Sequence, residues 1–177
     1  MAKACLNKLT GNITQGCTIN PVGVKGLYLI HPEDVTLTAD TNALSVSTAS
    51  FTPGAVVSFV EGYKQNIQIT GAMRSMDASA KMDWTITFKS GKNLPGTAQR
   101  LRTLLTGRFY VMAELIDGVT NFFGFTSPLE CAGMDWDSNA GAGLITVTMA
   151  TPEGAAGNYL MGVASGAINS IKAKVGV

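Results

Sequence analysis

His31 is the only histidine in the chain, and Glu33 and Asp34 follow it closely. An imidazole beside carboxylates is the pairing used in general acid–base chemistry. Here it lies just past an apolar run and directly before Pro32, so it reads as a turn residue beside a solvated acidic loop. A Ser–His–Asp or Cys–His site would need His31 itself, and no serine sits in a GxSxG elbow. The three cysteines, Cys5, Cys17 and Cys131, are odd in number and lack metal spacing. They are expected as free thiols, with a Cys5–Cys17 bridge as the alternative. Asp135-Trp136-Asp137-Ser138-Asn139 has part of a calcium loop but neither its ligand rhythm nor its closing Glu. Ser90-Gly91-Lys92-Asn93 looks like the end of a phosphate loop. It fails because Ile86 stands where the first Gly belongs and Asn93 where Ser or Thr should hold Mg²⁺. These residues assign no catalytic, cofactor or metal position.

Glu114 is the carboxylate that most needs an explanation, because it lies mid-strand among apolar residues. Buried, it would require a partner such as Arg108 or Lys89; facing a wet channel or a subunit seam, it would require none. Lys89, Lys92, Arg100, Arg102 and Arg108 form a loose basic run. Without interleaved aromatics this reads as a solvated face, or one paired with acidic residues of a neighbouring subunit.

The composition narrows the class. Of 177 residues, 46% are hydrophobic and only 14% charged, and Lys plus Arg (13) nearly balances Asp plus Glu (12) for a net charge of +1. A dedicated nucleic-acid binder carries a basic stripe instead. Low charge gives weak self-repulsion, which suits a protein covered by copies of itself. Neither a signal-peptide pattern nor an apolar window of about 18 residues is present, so the expectation is a cytosolic product with no membrane span.

The elements that would position these residues follow from period and turn chemistry. Val24–Ile30 reads as a buried strand. Leu44, Val46 and Thr48 suggest a short edge strand, and Val56–Val60 and Asn66–Thr70 two more. In Met82–Lys89 the alternation is clearest, with Met82, Trp84, Ile86 and Phe88 on one face and Asp83, Thr85, Thr87 and Lys89 on the other. A single helix is expected at about 97–106, with Thr97 as N-cap and Gly107 past its end. Phe109–Ile116 and Val119–Phe125 are expected to form a hairpin joined by Asp117-Gly118, a two-residue loop of the type I′ kind with φ > 0 at both positions. Apolar residues occupy both of its faces, so it is either central in a sandwich or covered by another chain. Ser138–Gly143 reads as a turn, Gly143–Met149 as a strand, and Ala167–Val177 as a loose last strand. Roughly eight to ten antiparallel strands with one flanking helix define a mainly-β sandwich or barrel. Its expected parts are an N-terminal arm (1–23), the sandwich (24–153), and an extension (154–177) packing on the same domain or a neighbouring subunit.

The order of features resembles a family. A Cys-containing arm leads into Val22–Ile30 and Glu33-Asp34-Val35; Trp84–Phe88 precedes the helix Thr97–Thr106. Then come Glu114, Asp117-Gly118, Phe123-Gly124-Phe125, Leu129-Glu130-Cys131, and a strand ending Met149-Ala150-Thr151-Pro152-Glu153. Over most of residues 1–153 this layout resembles the small tail-tube-like structural proteins of tailed phages, particularly those infecting Bacteroides and related bacteria. The resemblance implies a non-enzymatic virion protein without cofactors. It would be built in the host cytoplasm into stacked, hexameric rings whose strands complete an inner β-barrel. The implied partners are copies of itself, the tape-measure, terminator and distal tail proteins, and DNA passing without sequence preference. The lumen would be lined by Gln68, Thr70, Asp83, Thr85, Thr87 and Lys89, with Glu114 as a further candidate. Subunit seams would take the hairpin 109–125, the arm and the extension, through Cys5, Leu6, Tyr110, Met112, Phe122, Ile168 and Ile171. Two other readings stand beside this one. The first is a head–tail connector or capsid decoration protein; the second is a small β-barrel ligand-binding module or enzyme using His31, Glu114 and Asp135.

Overall fold

The computed structural model describes residues 23–62, 66–76, 79–90, 95–136 and 144–176, with the backbone alone described at 74–76, 79–81, 95–98 and 100. Among the described residues, eleven strands and two helices follow one another. They are β1 (Val24–Ile30), β2 (Val35–Ala39), β3 (Ser45–Phe51), β4 (Ser58–Glu61), β5 (Ile67–Met76), β6 (Ser79–Ser90), α1 (Pro95–Thr106), β7 (Arg108–Leu115), β8 (Thr120–Phe123), β9 (Leu129–Trp136), β10 (Ile145–Ala150), β11 (Met161–Val163) and α2 (Ser165–Lys172). The mainly-β class with a flanking helix is what the residues specify. The sheet is mixed rather than purely antiparallel, because β11 pairs with β3 in parallel.

Strand order is β2-β3-β11-β8-β7-β9-β10-β6-β5, with β1 on the other edge of β7 and β4 on β1. β7 joins the two halves. Its residues 111–114 pair with β8, while Arg108 and Phe109 pair with the start of β9. A first sheet (β4, β1, β7, β8, β11, β3, β2) therefore bends into a second (β9, β10, β6, β5). The bend is made at Gly124, whose φ of 86° suits glycine and whose missing Cβ leaves room for the Phe109 carbonyl and the Leu129 amide. It also resets the side-chain alternation. Phe123 points into one core, whereas Phe122 and Phe125 both pack in the other.

Two cores result. Between the sheets lie Leu27 and Leu29 of β1, Trp84, Ile86 and Phe88 of β6, Val111 of β7, Phe123 of β8, and Val147 and Met149 of β10, closed at one end by Leu101 of α1. The Trp84 indole fills the space over Gly71, its cross-strand partner, and meets Phe123 edge-on at 4.8 Å. On the opposite face of the first sheet, Tyr28, Ile30, Met112 and Phe122 meet Val46, Met161, and Ala167 and Ile171 of α2.

Over β7 and β8 both faces of the hairpin are thus covered by the chain itself, while Ile116 and Val119 at its tip are exposed. The expectation that a neighbour covers its second face is corrected accordingly: Met112, Phe122 and Ile171 are fully buried and have no surface to offer. Tyr110 and Ile168 are partly buried against that same core. Of the expected last strand, 167–177, residues 167–172 belong instead to the helix α2, since Ala167 and Ile171 stand one helical turn apart and face inward together. Beyond it Val175 makes a single parallel bridge to Val57. β3 is not an edge strand, because β2 flanks it on one side and β11 on the other. No described helix is long and apolar enough to cross a membrane.

Candidate functional site

The second sheet has one face in the core and one bare. On β6 the apolar set turns inward, so Asp83, Thr85, Thr87 and Lys89 must turn out. Register carries that face across its neighbours. Thr85 stands opposite Thr70 of β5 and Ala150 of β10; Thr87 stands opposite Gln68 and Thr148; Lys89 stands opposite Thr146. On β9, Asp135 lies beside Thr146, Gly133 beside Thr148 and, past a register shift, Glu130 beside Ala150. The middle of the face is a field of small hydroxyls, with charge confined to its margins. α1 turns Leu101 into the core between the sheets and α2 serves the other core, so among the described residues no helix covers this face.

Threonine suits such a position twice over. Its branched Cβ favours strand geometry, and its hydroxyl keeps a wet face without adding charge. At the β9 margin Arg108 pairs with Glu130 at 3.5 Å. A cleft of ≈ 470 Å³ opens there between Asp83, Thr85, Glu130 and the turn Thr151–Ala155. That turn is held in place from beneath: the Thr151 hydroxyl accepts the Trp84 backbone N–H at 3.0 Å. The Trp84 indole N–H donates to the Asn158 carbonyl at 2.6 Å. Buried Asn158 in turn accepts the Phe125 N–H at 2.9 Å and donates to the Phe122 carbonyl at 3.0 Å and the Tyr159 carbonyl at 2.8 Å. It ties the bend between the sheets to the segment that follows β10.

The lumen candidates Gln68, Thr70, Asp83, Thr85, Thr87 and Lys89 share this one face. Glu114 is not part of it, which corrects the expectation of a channel-facing carboxylate. It is buried in β7 on the other sheet. Lys25 donates to its Oε1 at 2.8 Å, Lys172 to its Oε2 at 2.8 Å, and the Tyr28 hydroxyl to Oε2 at 3.1 Å. The partners are therefore Lys25 and Lys172, not Arg108 or Lys89. Burial alone would raise the Glu114 pKa, but bonds from Lys172, Lys25 and Tyr28 outweigh it and hold the group at about 2, below its ordinary 4.5. Tyr28 is pushed up to about 12 by burial, then by the hydrogen bond and charge of Glu114.

His31, Glu114 and Asp135 do not converge. His31 sets its ring edge-on to Phe109 at 6.0 Å. It follows Ile30, which pairs with Tyr110, whereas Glu114 pairs with Gly26, roughly 13 Å further along the strands. Asp135 is on the bare face of the second sheet. Cys131 is a free thiol, half-buried, its Sγ 3.5 Å from the Gly133 carbonyl. Among the described residues no group of three or more His, Cys, Asp or Glu could hold a metal ion. Cys5, Leu6, Cys17, the turn 138–143 and the stretch from Gly91 to Asn93 lie outside the described residues, as does the Thr97 side chain.

Four contributors to the face escaped the sequence reading. Thr146 and Thr148 were visible in the alternation of ITVTM and could have been assigned to it. Glu130 and Asp135 were not, because β9 (LECAGMDW) mixes charge, Gly and small residues and carries a register shift.

The fold and this surface define a class: a mainly-β protein with one sheet covered twice and the other left with a bare, hydroxyl-lined face. No family model, curated protein or solved structure matches the chain.

Proposed function

We propose that the chain is a structural protein of a phage virion, a tail-tube subunit that assembles into stacked, hexameric rings, and that the bare face of the second sheet is the wall of their lumen. The observation that carries this reading is the middle of the face: Gln68, Thr70, Thr85, Thr87, Thr146 and Thr148 on one surface, with Lys89 at one margin and, by register, Arg74 and Lys81 at the far end of the β5–β6 pair. Tight contact with DNA comes from Lys and Arg that displace its counterions. A hydroxyl-bearing wall short of such cations stays wet and lets a polyanion slide.

The sheet edge adds support. β5 ends the strand path, and its outer edge has no hydrogen-bonded partner among the described residues. Its ten residues, IQITGAMRSM, include no Pro and only Arg74 as a charge, so the usual blockers of edge-to-edge pairing are scarce. Copies placed side by side would extend the second sheet into a closed barrel, which removes that edge. The role is mechanical, with no catalytic residue or cofactor. Its partners are other copies, the tape-measure, terminator and distal tail proteins, and DNA in transit. Its place is the virion tail, assembled in the host cytoplasm.

Electron microscopy of the purified full-length protein tests the proposal. Long tubes with a central hole are expected. Closed rings or trimers would favour a connector or decoration protein, and a monodisperse monomer at high concentration would overturn a virion assembly role.

A further inference from the structure

The C-terminal segment is fastened in an unusual way. α2 leaves β11 after one residue, Ala164, which offers no side-chain cap, and only Ala167 and Ile171 of its eight residues are buried. A helix this short is not stable by itself; isolated helices need about 12–15 residues even to be marginal. Beyond it the chain runs beside Val57: the Val57 N–H donates to the Lys174 carbonyl at 2.8 Å, and the Gly176 N–H to the Val57 carbonyl at 3.1 Å. Val175 and Gly176 then form one wall of an apolar cleft of ≈ 460 Å³ whose other walls include Leu29, Phe88, Leu101 and Phe109.

Between the helix and this tail sits Lys172, whose ammonium bonds Glu114 Oε2 at 2.8 Å and stands 5.9 Å from the Tyr28 ring centroid. Among the described residues, the charged and titratable groups on Glu114 come from two elements, Lys25 and Tyr28 from β1 and Lys172 from α2. The lysine side chains remain 63% and 38% exposed, so either can turn to water if the carboxylate is lost. The attachment is thus one buried anion gripping a cation that has somewhere else to go. Loss of that grip sends Lys172 to water and leaves the Glu114 carboxylate held by Lys25 and Tyr28.

We propose that residues 165–176 are a releasable strap, latched to the first sheet by Glu114 through Lys172, and that release opens the apolar cleft while the core between the sheets stays folded. Hydrogen exchange by mass spectrometry on the full-length protein tests this, with Glu114→Gln, Lys172→Met and Lys25→Met beside the native chain. Amides of 165–176 should exchange roughly tenfold faster in Glu114→Gln and Lys172→Met. Those of β6 and β10 should be unchanged, and Lys25→Met should leave the strap protected. An apolar fluorescent dye should bind the first two variants several-fold more strongly than the native chain. Unchanged strap protection overturns the proposal, as does equal loss of protection in β6 and β10, an equal effect of Lys25→Met, or unchanged dye binding. Should Glu114→Gln fail to fold, Lys172→Met, at a half-exposed position, decides alone.

Discussion

The two sheets share strand β7 yet are treated oppositely by the sequence. The first is apolar on both faces: Leu27, Leu29, Val111 and Phe123 face the second sheet, while Tyr28, Ile30, Met112 and Phe122 face Met161 and α2. The second is apolar on one face and carries hydroxyls on the other. The difference separates two kinds of demand. A sheet buried twice stabilises the fold, and its side chains are fixed by packing. A sheet buried once keeps a face whose residues core packing does not fix, and under the proposed function their uniformity answers to the lumen.

Truncation on the doubly covered sheet should have the largest effect. Phe122→Ala removes a fully buried ring and is expected to cost about 3–5 kcal/mol, read by denaturant unfolding. Asn158→Ala comes next at roughly 2 kcal/mol, because it leaves the Phe125 N–H and the buried Phe122 carbonyl without their side-chain partner.

Glu114→Gln should cost about 1–2 kcal/mol at neutral pH, less than a fully buried pair would, since both lysines reach solvent. Its pH dependence has a definite sign. With the folded-state pKa at about 2, below the ordinary 4.5, the carboxylate's contribution is complete above 4.5 and fades as pH falls towards 2. Tyr28, raised to about 12, contributes fully below its ordinary 10.0, and that contribution is lost as pH rises through 12. Native protein should therefore lose stability in both windows, and Glu114→Gln should flatten the acid one.

The bare face should respond least. Thr87→Val is expected within about 0.5 kcal/mol of native in monomer unfolding. A cost comparable to Phe122→Ala would show that this face is covered in the folded chain and would erase the contrast between the sheets.

Much of this was readable from residue order. Met82–Lys89 announced its two faces by strict alternation and stands where expected. The hairpin is also present, but its loop spans three residues, 116–118, with positive φ at Gly118 and not at Asp117, so the expected two-residue type I′ turn is corrected. What could not be read was the source of the hairpin's second cover. Ala167, Ile168 and Ile171 look alike as loose strand or helix over so short a run, and only tertiary contact with β3 settles it as helix. The Glu114 partners were hidden for a related reason: Lys25 and Lys172 are 89 and 58 residues away in sequence, one on the neighbouring strand and one on an element whose type was misread. β9 was missed because its inward residues, Leu129, Cys131 and Met134, fall out of alternation at its register shift.

The central claim is that the hydroxyl-lined face of the second sheet borders the hole of an assembled tube. A cryo-EM map of the assembled full-length protein at side-chain resolution decides it. The account predicts Thr85, Thr87 and Thr148 lining the hole, with α2 turned away from it. A map placing α2 or the first sheet against the hole, with that face turned outward to solvent, would contradict it.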